Sequence, residues 1–547
     1  MERVQSVHWI VAGLILTVAN VIKPIHVDDI IWVHFARHIA ETPWDPFGFT
    51  MPWGYGCIPA MDMWSPPVLP YWWGAGVALF GETPTFWKAW FLPFSLMFSS
   101  AAFALSRRFA PAGPTLVGYA IVLAPTVLPA VNLMQDIPAA SLVLASVALT
   151  LAGCERRSLP IALLGGVCLG LACLTKWSAL SGFGVIGLAT ILFAPSWRWW
   201  IIIPGIALAI FASWEGYLLA AYGQSNFLLG FVGQGPPDLG AKKSLAIALV
   251  TFTGTLAPFV AIASLGRLVA GRGIALCVAG IFIATLVALA ILPETLSITN
   301  PLTGRGFRPD TPLLAGLSFL AWAGLAASLL ITLLKSRLDR RLVFLILWLG
   351  VELIGYFVLS PFPAARRLVT PLAAMTLLAA AALGPHARKD VLGVAAAVQI
   401  AIAFLFTVVD LVDSHQIKTA ATRVSEAAPN DATLWSNGVF GFDYYIAGLG
   451  GVAPCATDIL QPGDTLAIYD VGVEGGVFRN EVFAELERTG ALQRIATFSE
   501  KPRLPWTTMG EGYYLGRRPL EGSNGPLHGA ALFEVLRAIP WDGVAPR

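Results

Sequence analysis

Apolar runs long enough to cross a bilayer recur from residue 8 to residue 409, separated by short polar breaks. The pattern predicts about thirteen transmembrane helices. Their approximate bounds are 8–22, 86–106, 115–131, 137–153, 160–175, 178–194, 200–221, 244–265, 274–292, 312–333, 342–359, 368–383 and 391–409. Between the first two runs lies a segment, 23–85, too long for a simple connection. It reads as a helix from about 28 to 41, a Pro/Gly/aromatic stretch, and a second helix starting near "SPPVLPYWWGAGVALFGE". After residue 410 the pattern changes. "ATLWSNG", "DTLAIYDVG", "LQRIATFSE" and "ALFEVLRAI" read as short strands, and "NEVFAELERTG" as an amphipathic helix ended by Gly490. The expected architecture is therefore a mainly α-helical polytopic membrane protein with a long external first loop and a small C-terminal α/β domain. Residues 1–409 would form the membrane domain and 410–547 the α/β domain.

Basic residues orient the helices. Arg3, Arg107, Arg108, Arg156, Arg157, Arg198, Arg267, Arg272, "KSRLDRR" (335–341), Arg388 and Lys389 fall in alternate short loops, which places those loops in the cytoplasm. The segment 23–85 and everything after 410 then lie outside. Lys176, Lys242, Lys243, Arg305, Arg308, Arg366 and Arg367 also fall on the outer side, where the rule disfavours cations, and anion binding accounts for them.

Composition agrees with a membrane protein. The chain has 547 residues, a mean hydropathy of +0.71 and 12% charged residues, against about 25% for soluble domains. A net charge of +2 says nothing about nucleic acid, and no basic tract suggests it, so no nucleic-acid partner is expected. The first apolar run lacks a small-residue cleavage site and reads as a retained span. Six scattered cysteines form no CxxC pair. Cys57 and Cys455 would share the outer side; two free thiols are the favoured reading and a bridge the alternative. GxGxxG and P-loop motifs are absent, so a nucleotide site has no support.

The candidate chemistry gathers at the outer face. Asp28 and Asp29 are adjacent carboxylates just past a span, where they either have partners or a function; capping the following helix is the plain alternative. His34, His38 and Glu41 share a helix face and could hold a divalent metal, though no HExxH pattern supports one; a wet amphipathic face also explains them. The tryptophans at 32, 44, 53, 64, 72 and 73 read as interfacial anchors or as a ligand cleft. Asp136 in "NLMQDIPAAS", Lys176 in "GLACLTKWSAL" and Arg366/Arg367 in "SPFPAARRLVTP" each sit at an external helix end. A helix cap would explain Asp136, and snorkelling to lipid phosphates the bases. Together, charges of both signs at one depth point to a site for an anionic, membrane-held molecule.

In order and spacing these pieces resemble the GT-C superfamily of integral-membrane glycosyltransferases, in the branch of protein O-mannosyltransferases and lipid A aminoarabinose transferases. The resemblance rests on "DD" after the first span, Arg37 nine residues on, "SPPVLPYWWGAGVALFG", "MQDIPAAS", "LGLACLTKWSAL" and "LSPFPAARRLVTPL", over about residues 8–390. It implies an active site at the periplasmic face of a bacterial inner membrane and a polyprenyl-phosphate sugar donor. The acceptor would be a lipid, glycan or protein, and the transfer a single inverting displacement with no cofactor. Asp28 would be the catalytic carboxylate, with Asp29 and Asp136 as further candidates. Arg366, Arg367, Lys176 and Arg37 would bind substrate. The aminoarabinose transferases carry a Glu-Lys pair before the double proline; here Trp64 and Ser65 stand there. A transporter or non-catalytic scaffold is the rival class, but no repeat of one half in the other supports it.

Overall fold

The computed structural model describes residues 2–53, 56–63, 65–232, 239–269, 312–335, 339–385, 387–438, 441–455, 457–471, 480–500, 503–504, 506–509, 513–514, 521–522 and 528–541. The expected span 274–292, Arg305, Arg308 and Trp64 lie outside them.

After α1 (Glu2–Val21), α2 (Asp29–Glu41) runs over the expected stretch of the first external segment. A hairpin of β1 (Thr50–Trp53) and β2 (Gly56–Pro59) follows, then α3 (Val68–Phe80). The bundle continues with α4 (Pro84–Trp90), α5 (Leu92–Phe109), α6 (Pro114–Val122), α7 (Asp136–Arg156), α8 (Leu159–Cys173), α9 (Ser181–Phe193) and α10 (Arg198–Tyr222). Next come α11 (Leu239–Leu256), α12 (Pro258–Val269), α13 (Pro312–Lys335), α14 (Arg340–Leu359), α15 (Val369–Leu383) and α16 (Lys389–Ala427). Among the described residues six helices are long and apolar enough to cross a membrane: Pro84–Phe109, Asp136–Arg156, Arg198–Tyr222, Arg340–Leu359, Ala365–Leu383 and Lys389–Ala427. The expected spans 8–22, 160–175, 178–194 and 312–333 coincide with shorter apolar helices, and 244–265 is bent by 67° at the break between α11 and α12.

Two expectations are corrected. The run 115–131 is no continuous helix: α6 stops at Val122, because Pro125 and Pro129 each remove an amide donor and clash with the preceding turn. The backbone carbonyls released there are taken up inside the protein. Thr126 O accepts Tyr513 Oη at 2.7 Å, Leu128 O accepts Asn20 Nδ2 at 2.8 Å, and Pro129 O accepts Lys23 Nζ at 2.7 Å. Irregular backbone at membrane depth survives only with such partners. The run 391–409 is part of a longer helix, since α16 continues unbroken to Ala427, past the change in composition at 410.

The C-terminal strands fall where alternation placed them. β3 (Leu434–Asn437), α17 (Phe442–Gly448), β4 (Thr465–Val471), α18 (Asn480–Arg488), β5 (Leu492–Glu500) and β6 (His528–Val535) build a four-stranded sheet in the order β3-β4-β6-β5. The pair β3–β4 is parallel, and β6 runs antiparallel to both its neighbours. Gly490, at φ 71°, follows α18 as expected. The unit docks on the membrane part at residues 25–26. Gly441 has φ 93°, and a Cβ there would stand 2.6 Å from Ile25 O. Only glycine meets both conditions. A disulfide joins Cys57 of β2 to Cys455 over a Cα–Cα distance of 4.7 Å, so the favoured reading of two free thiols is corrected. The sequence could not show this, because 398 residues separate the two positions.

Candidate active site

Among the described residues, the two most enclosed apolar spans each carry part of the candidate site at one end. In Asp136–Arg156 78% of the apolar window is buried inside the protein, and in Ala365–Leu383 83%, against 22% for Arg198–Tyr222. Asp136 opens α7, packed among α5, α8 and α9. Arg366 and Arg367 lie on the short 3-10 turn Ala365–Leu368 that leads into α15. Lys176 sits between α8 and the turn before α9.

Arg366 joins the cluster. Its Nη2 donates to Asp28 Oδ2 at 3.1 Å and its Nη1 to Asp136 Oδ2 at 3.2 Å, while Met134 Sδ lies 2.8 Å from Nη1. Asp136 Oδ1 also accepts from Lys176 Nζ. Burial pushes the Lys176 ammonium down to about 8, although Asp136 acts in the opposite sense. Asp136, Lys176, Arg366 and Arg367 line one cleft of about 30 Å³ with Ser178, Ser181 and Thr370. Within it Arg367 makes no ion pair among the described residues; its guanidinium lies 4.1 Å from the Phe362 ring centroid. The Nε atoms of both arginines are buried without hydrogen-bond partners. Unpaired buried donors on two adjacent guanidinium groups are costly unless an acceptor arrives. An oxyanion supplies that acceptor.

The cluster therefore unites Asp28, Asp136, Lys176, Arg366 and Arg367. Asp28 is its accessible carboxylate, with a side chain 31% exposed against 4% for Asp136. It stands at the N-cap position of α2 but makes no capping bond, which sets aside the plain reading of that residue. Asp29 is set apart from this cluster. Adjacent helical residues point about 100° apart, and Asp29 is fully buried, accepting from Leu133 N at 2.9 Å and His26 N at 3.3 Å with Lys88 Nζ 3.7 Å away. It has no edge to offer a substrate, and serves to fix the start of α2 against the entry to α7. Arg37 is also displaced from this cluster: it pairs with Glu82 at 2.5 Å on a different face of α2. His38 Nε2 meets Asp45 O at 2.6 Å, and among the described residues no three His, Cys, Asp or Glu side chains converge as a metal site needs. The tryptophans divide: Trp73 donates to Leu133 O at 2.9 Å, Trp72 stacks on Trp90, and Trp44 is 90% exposed.

Beneath Arg366 lies a buried polar network that sequence reasoning missed. The Tyr514 hydroxyl donates to Asp410 Oδ2 at 2.8 Å and accepts from Asn132 Nδ2 at 2.7 Å, with His26 Nε2 3.2 Å away. Lys23 Nζ pairs with Asp410 Oδ2 at 2.6 Å. Burial opposes the charge on His26, but Asp410 and Asp29 outweigh it and raise its pKa. The Tyr514 ring centroid is 5.8 Å from the Arg366 guanidinium, and Ala365 N donates to Tyr513 O at 3.0 Å. Chain that follows the last span thus returns to form the floor of the cluster. One signal was available: Lys23 and Asp410 each interrupt or border an apolar run, where an isolated charge implies a partner.

No protein-family model and no curated protein matches the sequence. Among solved structures, the chain is similar to ArnT from Cupriavidus metallidurans in the apo state, at 13% identity over 99% of this chain and 98% of that one, with a TM-score of 0.43. ArnT bound to undecaprenyl phosphate gives 14%, 96%, 97% and 0.42 for the same measures. The arabinofuranosyltransferase AftD from Mycobacteria is 14% identical over 98% of this chain and 41% of that one, at 0.43.

Proposed function

We propose that the protein is an integral-membrane glycosyltransferase that moves a sugar from a polyprenyl-phosphate carrier to a lipid, glycan or protein acceptor at the outer membrane face. The observation that carries this reading is Arg367, without an ion pair among the described residues, beside Lys176 and Arg366 in one cleft, with an accessible carboxylate, Asp28, held by Arg366. In one inverting displacement the acceptor oxygen attacks the anomeric carbon, its proton passes to Asp28, and the bond from that carbon to the phosphate oxygen breaks. Both electrons of that bond leave with the phosphate, whose growing charge the three cations stabilise. Arg366 holds Asp28 by Oδ2 only, leaving Oδ1 for the acceptor hydroxyl. Asp136 keeps Lys176 and Arg366 apart and aligned.

The Cys57–Cys455 bridge supports an outer, oxidising location for both units it joins. The reading keeps the thirteen-span topology, with residues 1–409 as the membrane domain, 410–547 as the external one, and the membrane as that of a bacterial cell. The test is sugar transfer by the full chain in nanodiscs from a panel of labelled undecaprenyl-phosphate sugars, with cell-envelope lipids, glycans and peptides as acceptors. Release of undecaprenyl phosphate together with labelled product is expected. Failure of every donor to bind or react refutes the assignment.

A further inference from the structure

A second cavity lies away from the cationic cleft. It measures about 230 Å³ and sits between α2, the β1–β2 hairpin and the C-terminal sheet, lined by His34, Arg37, Trp53, Ser436, Asp443 and Tyr444 among others. Ile30, His34 and Arg37 recur at helical spacing, so one face of α2 makes the wall. Asp28 points from the opposite side of that helix. The disulfide staples the two remaining walls: Cys57 is the register partner of Pro52, and Cys455 follows the lining residue Ala453.

The cavity offers no free cation among the described residues. Arg37 is neutralised by Glu82. Burial, with Arg37 acting in the same sense, pushes the His34 imidazole down to about 4, so it is neutral at physiological pH. Both hydrogen bonds to Asp443, from Ser436 Oγ and from Gly438 N at 2.9 Å, fall on Oδ1 and leave Oδ2 available. Among the described residues the His34 ring and the Tyr444 hydroxyl form no hydrogen bond. Uncommitted donors and acceptors beside the carboxyl of Asp443, with no free cation, select against anions and favour a neutral, multiply hydroxylated ligand. Two aromatic side chains, Trp53 and Tyr444, add apolar faces of the kind a pyranose ring covers with its C–H groups. The volume is below the range of roughly 300–1,000 Å³ that holds drug-sized ligands, which suits one or two sugar rings.

We propose that this cavity is a binding site for an uncharged saccharide. Taking the occupant as a remote ring of a glycan acceptor rests on the glycosyltransferase reading; the binding itself does not. His34 lies six residues along α2 from Asp28, about 9 Å by helical rise. A ring held there makes the same contacts before and during transfer, so it sets acceptor affinity and not the chemical step.

The experiment is saturation-transfer NMR on the full chain in nanodiscs with lactose, maltose, α-1,6-mannobiose and a neutral Ser/Thr-rich hexapeptide as probes. At least one disaccharide is expected to receive saturation, with a signal at least tenfold lower in Trp53→Ala. Trp44→Ala, which alters an exposed tryptophan outside the cavity, should retain the signal. Reduction of Cys57–Cys455 should abolish it by freeing the walls. Thermal melting checks that Trp53→Ala is folded; if that variant is unfolded, His34→Ala and Tyr444→Ala take its place. No signal from any disaccharide, or signal from the peptide alone, overturns the proposal, as does signal unchanged in all three cavity variants. Saccharide binding in a protein that transfers no sugar leaves this site standing and removes the glycosyltransferase reading.

Discussion

Replacing Tyr514 separates two ways in which the C-terminal chain could support the cationic cleft. In Tyr514→Phe the ring under Arg366 stays and the hydroxyl goes. Asp410 keeps Lys23 at 2.6 Å and Thr508 at 2.8 Å, and His26 keeps Asp410 Oδ1 at 3.3 Å. Only Asn132 Nδ2 loses its acceptor, a loss of about 1–3 kcal/mol in stability. Tyr514→Ala removes the buried ring as well, at a cost of about 3–5 kcal/mol from the lost side chain and the cavity it leaves. It also takes away the aromatic face 5.8 Å from the Arg366 guanidinium. That distance is near the outer limit for a cation–π contact, so its share in holding Arg366 is about 1–2 kcal/mol. The account predicts undecaprenyl phosphate binding within about twofold of wild type for Phe, and weaker by about five- to thirtyfold for Ala. Thermal melting should fall in both. Binding measured on the full chain in nanodiscs decides the matter. Equal weakening by Phe and Ala would show that the hydroxyl network sets Arg366 and would refute the role given to the ring; no weakening by Ala would remove Tyr514 from the site.

Three further outcomes follow from the same geometry. Lys176 has a folded pKa of about 8 against 10.5 unfolded. Between those values the unfolded chain binds more protons, so this group's contribution to stability rises with pH there. Its charge is lost over the same range, so undecaprenyl phosphate binding should weaken above about pH 8 in a titration, and Lys176→Arg should flatten the profile. Burial lifts the Asp443 carboxyl from 3.8 to about 7. The folded state therefore binds more protons between those values and loses stability as pH rises through them. Asp443→Asn, which keeps an acceptor for Ser436 and Gly438, should melt higher than wild type at pH 8 and match it at pH 4. A membrane-impermeant maleimide applied from outside should label Cys57 and Cys455 only after reduction. The Cys57→Ser variant should lose about 2–4 kcal/mol in the stability of the external unit.

The charged cluster was legible where charge stood against an apolar background. Asp136, Lys176, Arg366 and Arg367 each end an apolar run, and the structure gathers them with Asp28. The sheet was legible too, because strand alternation is local: β4 and β5 fall on "DTLAIYDVG" and "LQRIATFSE". What stayed hidden depends on pairings across long stretches of chain. Asp29 has the same chemistry as Asp28, and only its turn toward Leu133 decides that it is buried. Tyr514 lies 488 residues from His26, so no sequence window could join them. The break after Val122 was signalled by Pro125 and Pro129, which hydropathy alone does not weigh.

The most direct test of the central claim compares sugar transfer from undecaprenyl-phosphate sugars by the wild type and by Asp28→Asn, with undecaprenyl phosphate binding measured on both. Loss of the accessible carboxylate should lower transfer at least a hundredfold, about 2.7 kcal/mol of transition-state stabilisation, with the carrier still bound through Arg366, Arg367 and Lys176. Transfer that persists at the wild-type rate in Asp28→Asn would contradict the account and move the chemistry to another residue.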